Sequence, residues 1–444
     1  MENKIIIDRK MWFNIILFGL IGQIAWSVEN MYFNLFVYNT IAKDTAAVTL
    51  MVQLSGICAA IVTLLAGTLS DKVANRKLFI SWGYAIWGLI VVSFAFITKE
   101  NTANIFHITS ADKVISATIA IVIIMDCVMT LFGSTANDAA FNAWVTDTTT
   151  NAIRGKVEGV LSIMPLLALL IVAGGFGIIV EQIGYGGMFI GLGAIISISG
   201  IIGMFTIKDS PELKKTNTSY FKDLLYGFKP SVIKENNILY ILLGAMCIYS
   251  IASQIFMPYL IIYLQEYLKF TVIEYSIVLG LVILLGAVAV VLISRYSDKV
   301  RKDKMLYIFI GLFALGLFLI YFAKGENHTL NTILIGIFGF IMIVGYISIL
   351  SILGALIRDY TPEENAGKLQ GVRIIFYVLI PMFIGPAIGQ AINNRQNITY
   401  IDPDTMQLAK VPAPEIFIAA ALVSLLMLIP LIFASKKISK NMNN

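Results

Sequence analysis

Twelve mostly apolar stretches, each about 19 to 30 residues long, run between residues 11 and 434. Each is long enough to cross a hydrocarbon core of ~30 Å as a helix rising 1.5 Å per residue. The spans read as 11-40, 46-69, 78-98, 113-142, 156-182, 186-207, 237-266, 272-294, 305-323, 331-357, 369-392 and 415-434. No water-soluble fold absorbs so much apolar surface. Hydrophobic residues make up 58% of the chain and charged ones 13%, against roughly 45–50% and about 25% in soluble proteins. The chain is therefore expected to be an all-α membrane protein with twelve transmembrane helices. Its first apolar run is too long for the core of a cleaved leader, so it is expected to persist as helix 1. Cys58, Cys127 and Cys247 all fall inside apolar stretches. An odd number so far apart builds no disulfide framework, and they read as packing residues.

Orientation comes from the connections. With a cytoplasmic N-terminus, the termini and even-numbered connections hold 25 of the 32 Lys and Arg residues. Because Lys/Arg asymmetry in short loops sets topology, both termini are expected in the cytoplasm of a plasma membrane, which defines inner and outer. The net charge of +5 then answers an anionic inner leaflet and implies lipid, not nucleic acid, as the partner. The longest hydrophilic stretch, 208-236, reads as a basic cytoplasmic linker between residues 1-207 and 237-444. Within it Tyr220, Phe221, Leu224, Leu225 and Phe228 recur at helical spacing, which suggests a short helix lying on the membrane surface.

The two halves repeat. Ser70-Asp71-Lys72-Val73 recurs as Ser297-Asp298-Lys299-Val300, an offset of 227, and residues 145 to 160 align without gaps on 357 to 372. In that second alignment Asp147/Asp359, Thr149/Thr361, Gly155/Gly367, Lys156/Lys368, Gly159/Gly371 and Val160/Val372 are identical. Trp26-Ser27-Val28 has a weaker echo in Tyr249-Ser250-Ile251. An even number of helices per copy inserts both copies the same way, giving two six-helix bundles related by a pseudo-twofold axis along the membrane normal. Bundles so related can rock about a midplane site and expose it to each side in turn.

The segment from Gly67 through Leu69, Asp71, Lys72, Arg76 and Lys77 resembles the helix 2–3 signature of the major facilitator superfamily, departing from it at Ala74 and Asn75. The resemblance extends over nearly the whole chain and implies a gating role for Gly67, Asp71 and Arg76, with Asp298 as the repeat's counterpart. Trp26-Ser-Val-Glu29-Asn30, Arg154-Gly155 and Asp359-Tyr-Thr-Pro362 are similar to the glycoside, pentoside and hexuronide cation symporters and to sucrose-type carriers. Asp147, Arg154 and Asp359 then read as inner-gate ion-pair residues together with Asp138.

Polar side chains at bilayer depth are costly and face a bundle interior or an aqueous cavity. At ~100° per residue, Gln23, Ser27, Asn30 and Asn34 share one stripe of helix 1, and Asp126, Thr130 and Asn137 share one of helix 4. Ser250 and Gln254 lie one turn apart in helix 7. Amides and hydroxyls at that spacing match vicinal hydroxyls, and Trp26, Trp87 or Trp144 can stack on the apolar side of a sugar ring. A sugar or glycoside fits this set better than a lipophilic drug. Helix-to-helix hydrogen bonding is the competing use of the same groups.

Two carboxyls lie deep, Asp126 in helix 4 and Glu29 in helix 1, and no span carries Lys or Arg at mid-depth. Burial disfavours the charged form of a carboxyl, so both are candidates for cation coupling. Asp126 also resembles the helix 4 acid of melibiose-type sodium symporters. Helix 2 lacks the carboxylates that such a sodium site draws on, so a proton is the favoured coupling ion. Glu29 sits about 100° off the Gln23 stripe and is free to face a neighbouring helix.

No phosphate-cradling G-x-x-x-x-G-K-[ST] loop occurs, and the two histidines, His107 and His328, fall in outer loops of different halves. The chain thus reads as neither an ATP-driven pump nor an enzyme, with no metal or cofactor implied. The expectation is a monomeric secondary carrier, a proton-coupled sugar or glycoside symporter. An efflux carrier for drugs or metabolites and a non-transporting sensor on the same fold are the alternatives.

Overall fold

A computed structural model of the chain describes residues 9–149, 151–210, 226–297, 301–324, 327–362, 366–402 and 408–443. The membrane helices are helix 1 Arg9–Ile41, helix 2 Thr45–Ala66, helix 3 Arg76–Phe96, helix 4 Ala111–Thr148, the run Lys156–Thr206, helix 7 Asn237–Tyr267, helix 8 Val272–Ile293, helix 9 Lys302–Ile320, helix 10 His328–Asp359, helix 11 Gly371–Gln396 and helix 12 Glu415–Lys440. The 51-residue run would be ~76 Å long as one helix, far beyond a single crossing. It breaks at Gly184, whose φ of 72° and ψ of 172° lie where only glycine sits without strain. Helices 5 and 6 flank that break, which restores twelve crossings.

Three local features were not foreseen. A short helix, Lys99–Phe106, fills the outer connection after helix 3. Between helices 11 and 12, β1 (Thr399–Ile401) pairs antiparallel with β2 (Leu408–Lys410), Thr399 opposite Lys410. Wide π turns interrupt helix 1 at Glu29–Phe33 and Val37–Ile41, helix 4 at Ser134–Phe141, helix 5 at Val172–Phe176, helix 7 at Tyr263–Tyr267 and helix 11 at Ile375–Leu379. Such turns each insert one residue into the helical ladder and occur frequently at functional sites. Pro258 adds a 3-10 turn, Met257–Tyr259, to helix 7. The surface helix expected over 220–228 lies mostly outside the described residues; Tyr226–Phe228 forms one 3-10 turn and Pro230–Glu235 a short helix.

Two compact units emerge, Met1–Ala42 with Ile57–Thr218, and Lys43–Gly56 with Ser219–Asn444. This division differs from the expected one at the start of helix 2, and hydrogen bonds give the reason. Thr49 Oγ1 lies 2.6 Å from Tyr259 Oη and donates to Gln390 Oε1 at 3.1 Å, while Gln53 Nε2 donates to the Phe383 carbonyl at 2.8 Å. In lipid, no hydrophobic driving force separates helix from helix, so packing relies on small residues and such polar contacts. In the first unit helices 3 and 6 meet at Gly88 and Gly193, where a methyl on either would overlap the other helix's backbone. In the second unit Gly316 and Gly345 play this part for helices 9 and 10. Large exposed side chains such as Leu89, Phe205 and Leu422 are left for acyl chains to cover.

Candidate functional site

Glu29 and Asp126 are drawn together inside the first unit, 7% and 1% exposed. Thr130, one turn beyond Asp126 on helix 4, donates its hydroxyl to Glu29 Oε1 at 3.5 Å. Cys127 sits among Asp126, Glu29 and Cys58. Glu29 thus turns from the Gln23 stripe toward helix 4, as its wheel position allows, and it stands at the first residue of a π turn. Two acids and a hydroxyl on facing helices make a site able to take up and release a cation without a basic side chain at that depth.

On the adjoining face of helix 1, Gln23, Trp26, Ser27 and Asn30 are half-buried. Asn30 Nδ2 donates to the Trp26 carbonyl at 2.8 Å and Asn34 Nδ2 to the Asn30 carbonyl at 2.8 Å. Asn34 is buried, with its Oδ1 lacking a hydrogen-bond partner among the described residues. The straight-helix extrapolation from Gln23 to Asn34 ignores the π turn Glu29–Phe33, which advances everything after it by one residue. Trp26 packs on Trp87 with centroids 4.9 Å apart. The indole nitrogen of Trp87 has no hydrogen-bond partner among the described residues. Trp26 and Ser134 flank the half-buried Asp138, which therefore faces this aromatic cluster and makes no ion pair among the described residues.

Asn137 and Trp144 are occupied in packing. Asn137 Nδ2 donates to Tyr84 Oη at 2.6 Å and approaches the Phe18 carbonyl at 3.4 Å, while Tyr84 Oη donates to that carbonyl at 2.7 Å. It lies in the π turn Ser134–Phe141, so it points at helices 1 and 3 and leaves the Asp126 stripe. Trp144 Nε1 donates to the Lys208 carbonyl at 2.9 Å, tying helix 4 to the end of helix 6.

Where helix 2 passes into helix 3, Arg76 Nε donates to Asp147 Oδ2 at 2.9 Å and Arg76 Nη1 to Ser70 Oγ at 2.5 Å. In the second unit Lys302 Nζ meets Asp359 Oδ2 at 2.7 Å. The repeat identified in the sequence is thus echoed by an ion pair in each unit. Asp298 lies outside the described residues, and the side chains of Gly67, Asp71 and Arg154 do too.

Helix 7 presents Ser250, buried with its Oγ lacking a partner among the described residues, and the half-buried Gln254. Its deep polarity is phenolic: Tyr249, Tyr259 and Tyr263 are buried. A cluster at the C-terminal end of helix 7 was missed by sequence reasoning. Lys43 Nζ lies 3.4 Å from Glu266 Oε1, 3.4 Å from Asp402 Oδ2 and 3.2 Å from Tyr400 Oη, and Tyr400 Oη donates to Glu266 Oε2 at 2.5 Å. Burial works against the Lys43 charge, but the Tyr400 hydroxyl and the two carboxylates outweigh it and hold its pKa above the ordinary lysine value. Burial and the bond to Glu266 push the Tyr400 phenol up. Lys410 adds a backbone bond to the Lys43 carbonyl at 2.9 Å and an ion pair with Asp44 at 3.2 Å. The only signal in the sequence was that Lys43 is one of few cations in the outer loops.

Twelve crossings and acids enclosed in one bundle define a polytopic carrier. The sequence matches the Major Facilitator Superfamily over residues 11–386, and again over 242–441; the chain belongs to this superfamily and is a secondary transporter, not an enzyme. The second match falls on the second copy of the repeat. A mutant of the nucleoside transporter NupG shares the fold with a TM-score of 0.66 at 14% identity, over 95% of this chain and 99% of that one. So does a bacterial homolog of the human lysosomal transporter Spinster, inward-facing and unoccupied, with a TM-score of 0.63 at 13% identity over 98% of each chain. No curated protein matches the sequence.

Proposed function

We propose that the protein is a proton-coupled symporter of a sugar or glycoside in a plasma membrane, working by alternating access with both termini in the cytoplasm. The observation that carries this reading is the hydrogen bond from Thr130 to Glu29 one helical turn from the buried Asp126, beside the half-buried amide and indole face of Gln23, Trp26, Ser27 and Asn30. A proton taken up by the acid pair removes a charge whose presence in a low-dielectric interior is costly. Substrate hydroxyls would engage Gln23, Ser27 and Asn30 of the first unit, with the sugar's apolar side on Trp26; Ser250 and Gln254 are the candidate substrate-binding groups of the second unit. The loaded, neutral carrier then changes state easily, and the empty carrier with a charged acid does so slowly. Asn34, Thr130 and Asn137 support this face by hydrogen bonding, and Gly67, Asp71, Arg76, Asp147, Arg154, Asp298 and Asp359 govern the inner gate.

The deciding experiment is uptake of a radiolabelled sugar panel into proteoliposomes at two external pH values. A sugar accumulated against its gradient when the outside is acidic, and collapsed by a protonophore, supports the reading. Accumulation that depends on sodium and ignores the protonophore removes the proton. Absence of any sugar flux in the presence of robust export of an unrelated compound replaces the substrate class.

A further inference from the structure

A cleft of about 440 Å³ opens at the inner end of the second unit, between the start of helix 9 and the last helix of the chain, Leu428–Asn443. Ligand sites for small molecules begin near ~300 Å³. Its floor is set by an ion pair that is satisfied internally. Arg301 grips Asp303 with two bonds, Nη2 to Oδ2 at 2.8 Å and Nε to Oδ1 at 3.1 Å, and Nη2 reaches the Ser435 carbonyl at 3.5 Å. The one acid of the cleft is thereby neutralised and buried. Two cations remain for a ligand: Lys304 and Lys436 line the cleft, are exposed, and enter no ion pair among the described residues.

The other lining groups are hydroxyls at helical spacing. Ser435 and Ser439 are one turn apart on the last helix, and Tyr307 Oη stands 3.4 Å from Ser435 Oγ. Ammonium and hydroxyl donors around a concave surface suit a tetrahedral oxyanion. The depth narrows its source. Ile432 lines the same cleft, and Ile308, Ile429 and Phe433 beside it are 64, 55 and 57% exposed, whereas Lys436 and Lys440 come directly after them along the helix. The cleft therefore straddles the line where side chains that need acyl cover give way to cations, which is the level of a phospholipid headgroup.

We propose that this cleft binds the phosphate of an anionic phospholipid of the inner leaflet, with Lys304 and Lys436 as cations, Tyr307, Ser435 and Ser439 as hydroxyl donors, and the acyl chains lying along Ile432 and Phe433. Basic pockets between membrane helices on the cytoplasmic side recognise lipid headgroups in this way. Each lysine near an anionic surface contributes about a fivefold factor, so loss of both weakens retention about 25-fold.

The test uses the full-length protein in nanodiscs of phosphatidylcholine containing phosphatidylglycerol, followed by native mass spectrometry of the lipids retained on release. Wild type is expected to keep phosphatidylglycerol in preference to phosphatidylcholine, and K304Q/K436Q to lose that preference at an unchanged melting temperature. S435A/S439A should fall between. K234Q/K440Q removes the same charge from exposed positions outside the cleft and should behave as wild type. Equal retention by wild type and K304Q/K436Q overturns the site, and so does equal loss in K234Q/K440Q, which would reduce the effect to general charge. Displacement of phosphatidylglycerol by inorganic phosphate alone overturns the lipid as ligand and makes the cleft a site for the free anion. The readout is independent of transport, so a wrong substrate or coupling ion leaves it untouched.

Discussion

The first unit buries two carboxyls on facing helices, Glu29 and Asp126, and the matching positions of the second unit carry none. At the offset that aligns the gate loops, 212, Asp126 corresponds to Phe338, Thr130 to Met342 and Asn137 to Ile349; at the helix 1 to helix 7 offset, 223, Glu29 corresponds to Ala252 and Trp26 to Tyr249. In place of the carboxyl centre, helix 7 carries the buried Tyr249, Tyr259 and Tyr263, with Tyr249 Oη donating to the Tyr346 carbonyl at 3.0 Å and Tyr259 Oη to the Pro386 carbonyl at 3.0 Å. A phenol at that depth is a hydrogen-bond donor and no carrier of charge at physiological pH. Duplication therefore preserved the connecting loops and let the interiors diverge, one keeping deep carboxyls and the other phenols. The gate-loop ion pairs differ as well: Arg76 is 5% exposed, whereas the Lys302 and Asp359 side chains are 43% and 51% exposed.

If coupling resides in the first unit alone, Asp126→Asn should abolish accumulation against a gradient while leaving exchange and downhill flux, whereas Tyr249→Phe should leave the pH dependence of uptake unchanged. Unaltered accumulation by Asp126→Asn in proteoliposomes would erase the contrast. The ion pairs give the next largest difference. Arg76→Ala strands a partly buried Asp147 and should cost about 3 kcal/mol, while Lys302→Ala should cost less than about 0.5 kcal/mol. Chemical denaturation in detergent compares the two, and equal losses would show that burial is not what separates them. For ligand affinity, Gln23→Ala with Asn30→Ala should weaken binding about tenfold, at roughly 0.5–1.5 kcal/mol per hydrogen bond lost. Ser250→Ala should weaken it about threefold or less, since it removes a single hydroxyl. Isothermal titration with the transported sugar reads both, and a reversed order would move the principal contacts into the second unit. The smallest effect belongs to Tyr400→Phe, which removes the two bonds of its hydroxyl, to Lys43 and Glu266, and should change the uptake rate by less than about fivefold, with affinity unchanged.

The spans and the repeat were legible in the sequence because hydropathy and length determine what can cross lipid, and because Ser-Asp-Lys-Val and the 145–160 segment kept their residues through duplication. Asp126 and Glu29 were legible for a related reason: an acid at that depth has few uses. Angular placement was legible only up to the first wide turn. Gln23 and Ser27 precede that turn, but Asn30, Asn34 and Asn137 lie in or beyond π turns, where a constant 100° per residue no longer holds. Nothing in local composition announces a π turn, which arises from how neighbouring helices pack. The Lys43 cluster was illegible because Lys43, Glu266, Tyr400 and Asp402 are remote in sequence, and the ribbon Thr399–Lys410 that brings two of them in lies in a connection with no periodic signal. The helix 5–6 break is legible as a gap at 183–185, and Gly184 is the residue that makes it.

Helix 1 carries two one-residue insertions in its outer half, Glu29–Phe33 and Val37–Ile41, and these act as phase adjusters for the chain beyond them. Deleting one residue from Val37–Ile41 would restore a regular ladder and improve local hydrogen bonding, yet it would swing the chain beyond Ala42 by ~100° and carry Lys43 off Glu266 and Asp402. A shorter, more regular helix would be the more damaging one, because the irregular turns set the azimuth at which the polypeptide leaves the membrane.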